Sequence, residues 1–213
     1  IKSVKEAKQV LKYTLLGVIP ELGKHQKPQA SIAGANRSLP KLIERDVPYF
    51  PVGNAYQILQ ANLKFLCSDA QLKSIVVTSS VTKEGKSEVA ANLAIAMASV
   101  GKRVLLVDAD MRHPIQHHTW GLTNALGLSN VIIDRVNIDA AVQEVSPNLD
   151  VLCSGVLPPN PMALIDSQRM AKLVNTFTAK YDFVIFDTPA VVGTADAAIL
   201  NELTDGILLV VRP

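Results

Sequence analysis

Five short apolar runs constrain the fold of this chain more than any other feature. They occupy residues 75–79, 104–108, 149–153, 183–187 and 207–211, each unbroken and rich in Val, Ile and Leu. A strand with one wet face alternates apolar and polar side chains, whereas a continuous apolar run needs cover on both faces. Stretches with helical spacing lie between them, notably 86–99, 161–178 and 194–203. Such alternation is satisfied most economically by an α/β fold: a mostly parallel sheet, right-handed crossovers and helices on both faces. The 213 residues suffice for one large domain or one domain with an appendage. With only 5% aromatic residues, the core must be filled by aliphatic packing.

The first third is less regular. Val4, Ala7, Val10 and Leu11 share a helical face, and the run 15–19 before Pro20 reads as a short strand or a packed arm. Residues 23–48 lack periodicity and read as a loop or linker. Helical spacing returns over 53–67 through Ala55, Ile58, Leu59, Leu63, Phe65 and Leu66. This divides the chain into an arm and linker, 1–47, and a main domain, 48–213. The arm carries nine basic and four acidic side chains, +5, and the remainder is −3. A basic arm can face anionic lipid or nucleic acid, or be a solvated linker. No apolar run approaches the ~20 residues that span a bilayer, and no charged-then-apolar leader pattern is visible at the start of the sequence. Ile1 at one end, and Pro213 straight after an apolar run at the other, read as cut ends. Cys67 and Cys153 form no CxxC and read as buried thiols, with a disulfide or metal pair as the alternative.

The main chemical signal follows the first run. Residues 75–87 read Ile-Val-Val-Thr-Ser-Ser-Val-Thr-Lys-Glu-Gly-Lys-Ser, a buried strand, a tight loop and the start of an amphipathic helix. A phosphate-binding loop needs this order. Backbone N–H groups converge on the anion, the helix N-terminus adds partial positive charge, Lys86 adds a full charge, and the Ser87 hydroxyl can bind Mg²⁺. Ser80 stands where the general pattern has its first Gly. Two more runs deliver carboxylates: 104–108 ends in Asp108-Ala-Asp110-Met-Arg112, and 183–187 ends in Asp187-Thr-Pro. Ligands bind at the carboxyl ends of parallel strands, so Asp108, Asp110 and Asp187 beside the loop form a candidate metal and general-base cluster. Singly, each Asp can equally be a helix cap or turn residue.

At these residues the chain resembles the cytoplasmic domain of bacterial tyrosine kinases, the P-loop autokinases that partner polysaccharide chain-length regulators. The resemblance runs through Leu16-Gly-Val-Ile-Pro20, the loop at 79–87, Ala90-Ala-Asn-Leu-Ala94, Asp108-Ala-Asp-Met-Arg-His-Pro114, Gly127-Leu-Ser129, Pro158-Pro-Asn-Pro161, and from Tyr181-Asp-Phe183 through Asp187-Thr-Pro189 to Asp196. It implies a P-loop NTPase fold of the deviant-Walker group that includes MinD and ParA. It also implies ATP and Mg²⁺ as cofactors and tyrosine autophosphorylation regulating exopolysaccharide or capsule synthesis and export. Residues 80–88 (Ser80, Val81, Thr82, Lys83, Glu84, Gly85, Lys86, Ser87, Glu88) would hold the nucleotide, with Arg212 near the adenine. Lys86 would bind the β- and γ-phosphates. Ser87, Asp110 and Asp187 would hold the metal, and Asp108 would accept the tyrosine proton. Lys86, Asp108 and Asp110 form the catalytic set. The implied partner is a transmembrane polysaccharide co-polymerase, in cis or in trans, at the cytoplasmic face of the plasma membrane. The arm is then membrane-proximal, a tyrosine cluster follows residue 213, and no nucleic acid is involved.

Three departures bear on activity and assembly. Thr82-Lys83 replaces the family's usual Pro-Gly, and a loop position that favours Gly often needs φ > 0, costing Lys about 1 kcal/mol. Glu88 replaces a Thr whose hydroxyl faces the α-phosphate, so its carboxylate must turn away. Asn54, Gln57 and Gln60 replace a Glu-x-x-Arg-x-x-Arg motif that joins neighbouring subunits into a ring. Two other readings therefore stand beside the kinase: a non-phosphorylating, nucleotide-sensing scaffold of the same machinery, and a partitioning-type ATPase. Val81 and Arg112 count against the latter. Tyr13, Tyr49, Tyr56 and Tyr181 are scattered and read as structural. His113, His117 and His118 cluster within six positions, two of them at i, i+4 spacing, but no Cys or further ligand lies near in sequence, and Trp120 reads as a packing residue.

Overall fold

The computed structural model describes residues 13–20, 42–43, 50–66 and 72–212. Among them, the chain order is α1 (Phe50–Leu66), β1 (Ser74–Ser79), α2 (Lys86–Ser99), β2 (Val104–Asp108), α3 (Gln116–Trp120), α4 (Leu128–Ile132), α5 (Ile138–Ala141), β3 (Val142–Ser146), β4 (Leu149–Leu152), α6 (Pro161–Ile165), α7 (Gln168–Lys180), β5 (Phe183–Asp187), α8 (Asp196–Asn201) and β6 (Gly206–Val210). The strands form one six-stranded sheet, β3-β4-β2-β5-β1-β6. All pairings are parallel except β3 with β4.

The apolar runs are continuous because successive residues feed different cores. Ile75, Val77, Val104, Leu106, Leu149, Val151, Phe183 and Ile185 pack in one cluster. Val76, Leu105, Val107, Leu152, Val184 and Phe186 pack in the other. The first cluster is closed by α1 and α2, the second by α4 and α7. Expected and observed strands agree within a residue at each end.

Three elements differ from expectation. Helix α2 is buried continuously from Val89 to Ala98, so it is not amphipathic. Its outer side is covered by α1, and Ala90, Ala91, Ala94, Ala96 and Ala98 allow that close double packing. The single helix expected over 161–178 is two. Asn160 caps α6, accepting from the Ala163 N–H (3.2 Å), and Ser167 starts α7 by accepting from Met170 N–H (3.1 Å). Strand β3 was not expected. It is half-buried at the sheet edge, and joins β4 through a turn in which Asn148 takes φ 65°. A short edge strand carries no long apolar run to announce it.

Residues 14–20 form a packed arm without regular structure. The Leu16 carbonyl accepts from Asn62 Nδ2 (2.7 Å), and Leu16 and Ile19 lie against the first core cluster. The helix expected over 3–12, most of the linker, Tyr49 and Cys67 lie outside the described residues. No helix among the described residues is long and apolar enough to cross a membrane.

Candidate active site

The three central strands, β2, β5 and β1, end side by side. Asp108 and Asp187 are register partners, as are Val77 and Asp187. The backbone continues this pairing beyond the strands: Ala109 N–H donates to Asp187 O (2.8 Å) and Thr188 N–H to Val77 O (3.0 Å). Strand pairing therefore brings together two motifs that lie 79 residues apart in sequence.

Lys86 opens α2 beside them. Its ammonium donates to Asp110 Oδ2 (3.1 Å) and Ser87 Oγ (3.1 Å) and lies 3.5 Å from Asp187 Oδ1. Asp108 Oδ2 accepts from the N–H groups of Ile115 (3.1 Å) and Gln116 (3.0 Å), while Oδ1 accepts from Asp110 N–H (3.3 Å). One ammonium thus serves three buried carboxylates. Burial, then Asp187 and Asp110, push the Asp108 carboxyl up to about 8. Burial raises Asp187 too, against the pull of Lys86. Burial alone would lower Lys86, but Asp187 and Asp110 outweigh it, and its net displacement is upward.

This arrangement fits a divalent cation. Asp187 Oδ1 is buried without a hydrogen-bond donor, and negative charge exceeds positive. The described residues hold no cluster of three His, Cys, Asp or Glu side chains spaced to enclose a metal. The site therefore suits a cation that keeps waters and takes other ligands from phosphate.

The loop before α2 has the expected strain. Lys83 takes φ 71° and Gly85, the helix N-cap, φ 91°. Gly85 offers no side chain to cap the helix, so the first-turn N–H groups face the loop. Glu84 clasps the loop: Oε2 accepts from Val81 N–H (2.9 Å) and Oε1 from Arg212 N–H (3.1 Å). Arg212 therefore lies against the loop, after β6. Ser80 accepts from Val192 N–H through its carbonyl (3.1 Å). Val81 and Thr82 are exposed. Glu88 lies close enough to Tyr56 on α1 to raise its phenol, after the larger effect of burial. The charge of Glu88 is thus felt at α1.

Other expected residues lie apart from this cluster. Asn54 lines an apolar groove of about 430 Å³ with Val18, Pro20, Pro51, Ala55 and Ile58, and Gln57 and Gln60 share its helix. Tyr56 and Tyr181 are buried, as structural tyrosines should be, whereas Tyr13 is exposed. Tyr181 Oη donates to Asp150 (2.7 Å). Cys153 is buried and free, its thiol pushed up by burial to about 12. The His117 and His118 rings lie 3.9 Å apart. Trp120 packs against the first core cluster, as expected.

Two functional contacts were not foreseen. Arg112 forms a two-point ion pair with buried Asp196 (3.1 and 3.3 Å), tying the second motif to α8. Gln116 is fully buried and donates to both Asp187 Oδ2 (2.8 Å) and Ser87 O (3.1 Å). Its only sequence signal was a position eight residues after Asp108 and four before Trp120.

A family model described as an AAA domain matches residues 72–213. The tyrosine-protein kinase YwqD of Bacillus subtilis is 45% identical over 73% of this chain and 66% of its own length. CapB of Staphylococcus aureus, named as a candidate tyrosine-protein kinase, is 33% identical over 84% of this chain and 79% of its own. The chain thus spans about two thirds to four fifths of these relatives. Among solved structures, the kinase domain of the Escherichia coli tyrosine kinase ETK superposes with TM-score 0.87 at 25% identity, covering 99% of this chain and 83% of that one. At the level of fold alone, MinD of Pyrococcus horikoshii superposes with TM-score 0.57 at 24% identity, covering 66% and 58%.

Proposed function

This chain belongs to the bacterial tyrosine-protein kinase family, and from that membership we propose that it is an ATP- and Mg²⁺-dependent tyrosine autokinase domain. The observation that supports this best is the convergence of Lys86 with Asp110 and Asp187 beside Ser87 at the ends of three central strands. Phosphoryl transfer needs little covalent work from the protein and much positioning and charge neutralisation.

The chain's residues divide that work as follows. Lys86 and the first-turn N–H groups of α2 neutralise and orient the phosphates. Ser87, Asp110 and Asp187 would hold Mg²⁺, the last two in part through water. When bound, Mg²⁺ neutralises charge on the phosphate oxygens and lowers the proton affinity of neighbouring carboxylates. Asp108, held up to about 8 without that cation, is thereby freed to accept the tyrosine hydroxyl proton. Its three backbone hydrogen bonds fix the orientation of the carboxylate. Arg212, whose backbone N–H meets Glu84 of the loop, would contact the adenine. Lys83 accommodates the positive φ that its position demands. The proximity of Glu88 to Tyr56 supports its turning away from the phosphates. On this reading the activator is a transmembrane polysaccharide co-polymerase at the cytoplasmic face of the plasma membrane, and the product is a tyrosine-phosphorylated copy that tunes export.

The test is ATP- and Mg²⁺-dependent phosphotyrosine in the full-length protein with its activator. Labelling should vanish in Lys86→Met and Asp108→Asn. Tight Mg²⁺·ATP binding without labelling would leave the nucleotide-sensing scaffold. Absence of nucleotide binding would defeat both.

A further inference from the structure

Gln116 touches all three segments of the site. Its backbone N–H donates to Asp108 Oδ2 (3.0 Å), and its side-chain Nε2 donates to Asp187 Oδ2 (2.8 Å) and to the Ser87 carbonyl (3.1 Å). Its Oε1 accepts from the indole Nε1–H of Trp120 (3.2 Å). The orientation of the amide follows from chemistry. Ser87 O and the Asp187 carboxylate are acceptors and need the NH₂ end, while the indole is a donor only and needs the oxygen. Reversing the amide would break all three bonds. Both amide protons are therefore committed, and the residue is fully buried.

The consequence is directional. Gln116 ties down one oxygen of Asp187, leaving Oδ1 turned towards Lys86 without a hydrogen-bond donor. It also fixes the main chain at Ser87, whose hydroxyl contacts Lys86. We propose that Gln116 is the positioning residue that aims Asp187 and Ser87 at the cation of a bound nucleotide, with Trp120 locking its amide. This rests on the nucleotide-binding reading above. The chain has one Trp. Because that indole is one hydrogen bond from Gln116 and two from Asp187, its emission should report occupation of the site.

The experiment titrates Mg²⁺ into the protein with saturating ADP, followed by Trp120 fluorescence and, independently, by calorimetry. The parent should show an emission change that saturates with Mg²⁺. Gln116→Met keeps the volume but removes the donors and acceptor. It should raise the Mg²⁺ requirement roughly 10- to 100-fold, as loss of an outer-shell partner does, and abolish the emission change. ADP affinity in EDTA should change far less. Trp120→Phe, read by calorimetry, should raise the Mg²⁺ requirement less steeply, since the amide stays but is no longer locked. If Gln116→Met does not fold, Trp120→Phe alone decides: an unchanged requirement overturns the proposal. An unchanged requirement and emission change in Gln116→Met overturn it, as do equal losses with and without Mg²⁺. A parent that binds Mg²⁺·ADP while Gln116→Met behaves like it defeats only this inference. A parent that binds no nucleotide defeats the functional reading as well.

Discussion

Replacing Asp108 by Asn should stabilise the ligand-free protein increasingly as pH rises. The carboxyl of Asp108 moves from its ordinary 3.8 to about 8 in the folded chain through burial and the neighbouring Asp187 and Asp110. A raised acid pKa means the folded state holds a proton that the unfolded state has released. Stability is therefore full below about pH 4 and is lost as pH rises towards about 8, at up to a tenfold change in the folding equilibrium per pH unit. Between pH 5 and pH 8 this is an upper bound of about 4 kcal/mol. Water relaxation around the buried carboxylate reduces the effect, and about 2 kcal/mol is a realistic expectation. For a chain of this size that corresponds to a Tm difference of roughly 4–8 °C. Asn resembles the protonated acid, since its carbonyl can still accept from the Ile115 and Gln116 N–H groups. Thermal unfolding of parent and variant at pH 5, 6, 7 and 8 without nucleotide reads this group and its coupled neighbours, because titrations remote from Asp108 cancel in the difference. The Tm gap, variant minus parent, should widen by several degrees across the series. A gap that is constant with pH would refute the reasoning, because Asp108 would then ionise alike in both states. Mg²⁺·ADP should close the gap at pH 8 by supplying the charge that the parent lacks.

Lys86→Met should abolish nucleotide binding and, at pH 8, cost about 3 kcal/mol in urea unfolding, because buried Asp187 loses its cation. The loss should shrink at pH 5, where the carboxylates can take up protons. Lys83→Gly should raise stability by about 0.5 kcal/mol by relieving φ 71°, whereas Gly85→Ala at φ 91° should cost about 1 kcal/mol, measured the same way. Nothing lies within 4 Å of a Cβ at Gly85, so that cost is purely conformational. Gly127 is extended at φ −176°, yet a Cβ there would strike Cys153 O and Gly155 N. Gly127→Ala should therefore cost about 3 kcal/mol through displaced backbone, and similar stability to Gly85→Ala would contradict the packing.

Much of this site was legible because its chemistry is local. The order strand, loop, Gly-Lys-Ser, helix is a contiguous pattern, and the strand ends at Asp108 and Asp187 are marked by the close of apolar runs. Lys83 was readable because positive φ is a property of one residue and its place in a turn. Gln116 was not readable. Its importance comes from contacts with residues 29 and 71 positions away, and a Gln between apolar and His residues carries no local mark. The ion pair of Arg112 with Asp196 spans 84 positions and was hidden for the same reason. Local signals also misled at α2. Its sequence reads as an amphipathic helix, and only the cover supplied by α1 makes it buried all round.

The sequence by itself determined the α/β architecture, the phosphate loop and the identities of the charged groups, since these depend on periodicity and on neighbours along the chain. Tertiary structure decided the strand order, the antiparallel edge strand, the doubled cover of α2 and the charge balance of the site. Burial and two neighbouring carboxylates raise Asp108 against the pull of one ammonium, and Asp187 is left half-satisfied. That balance depends on distance and burial between segments, quantities that exist only once β5 lies between β1 and β2.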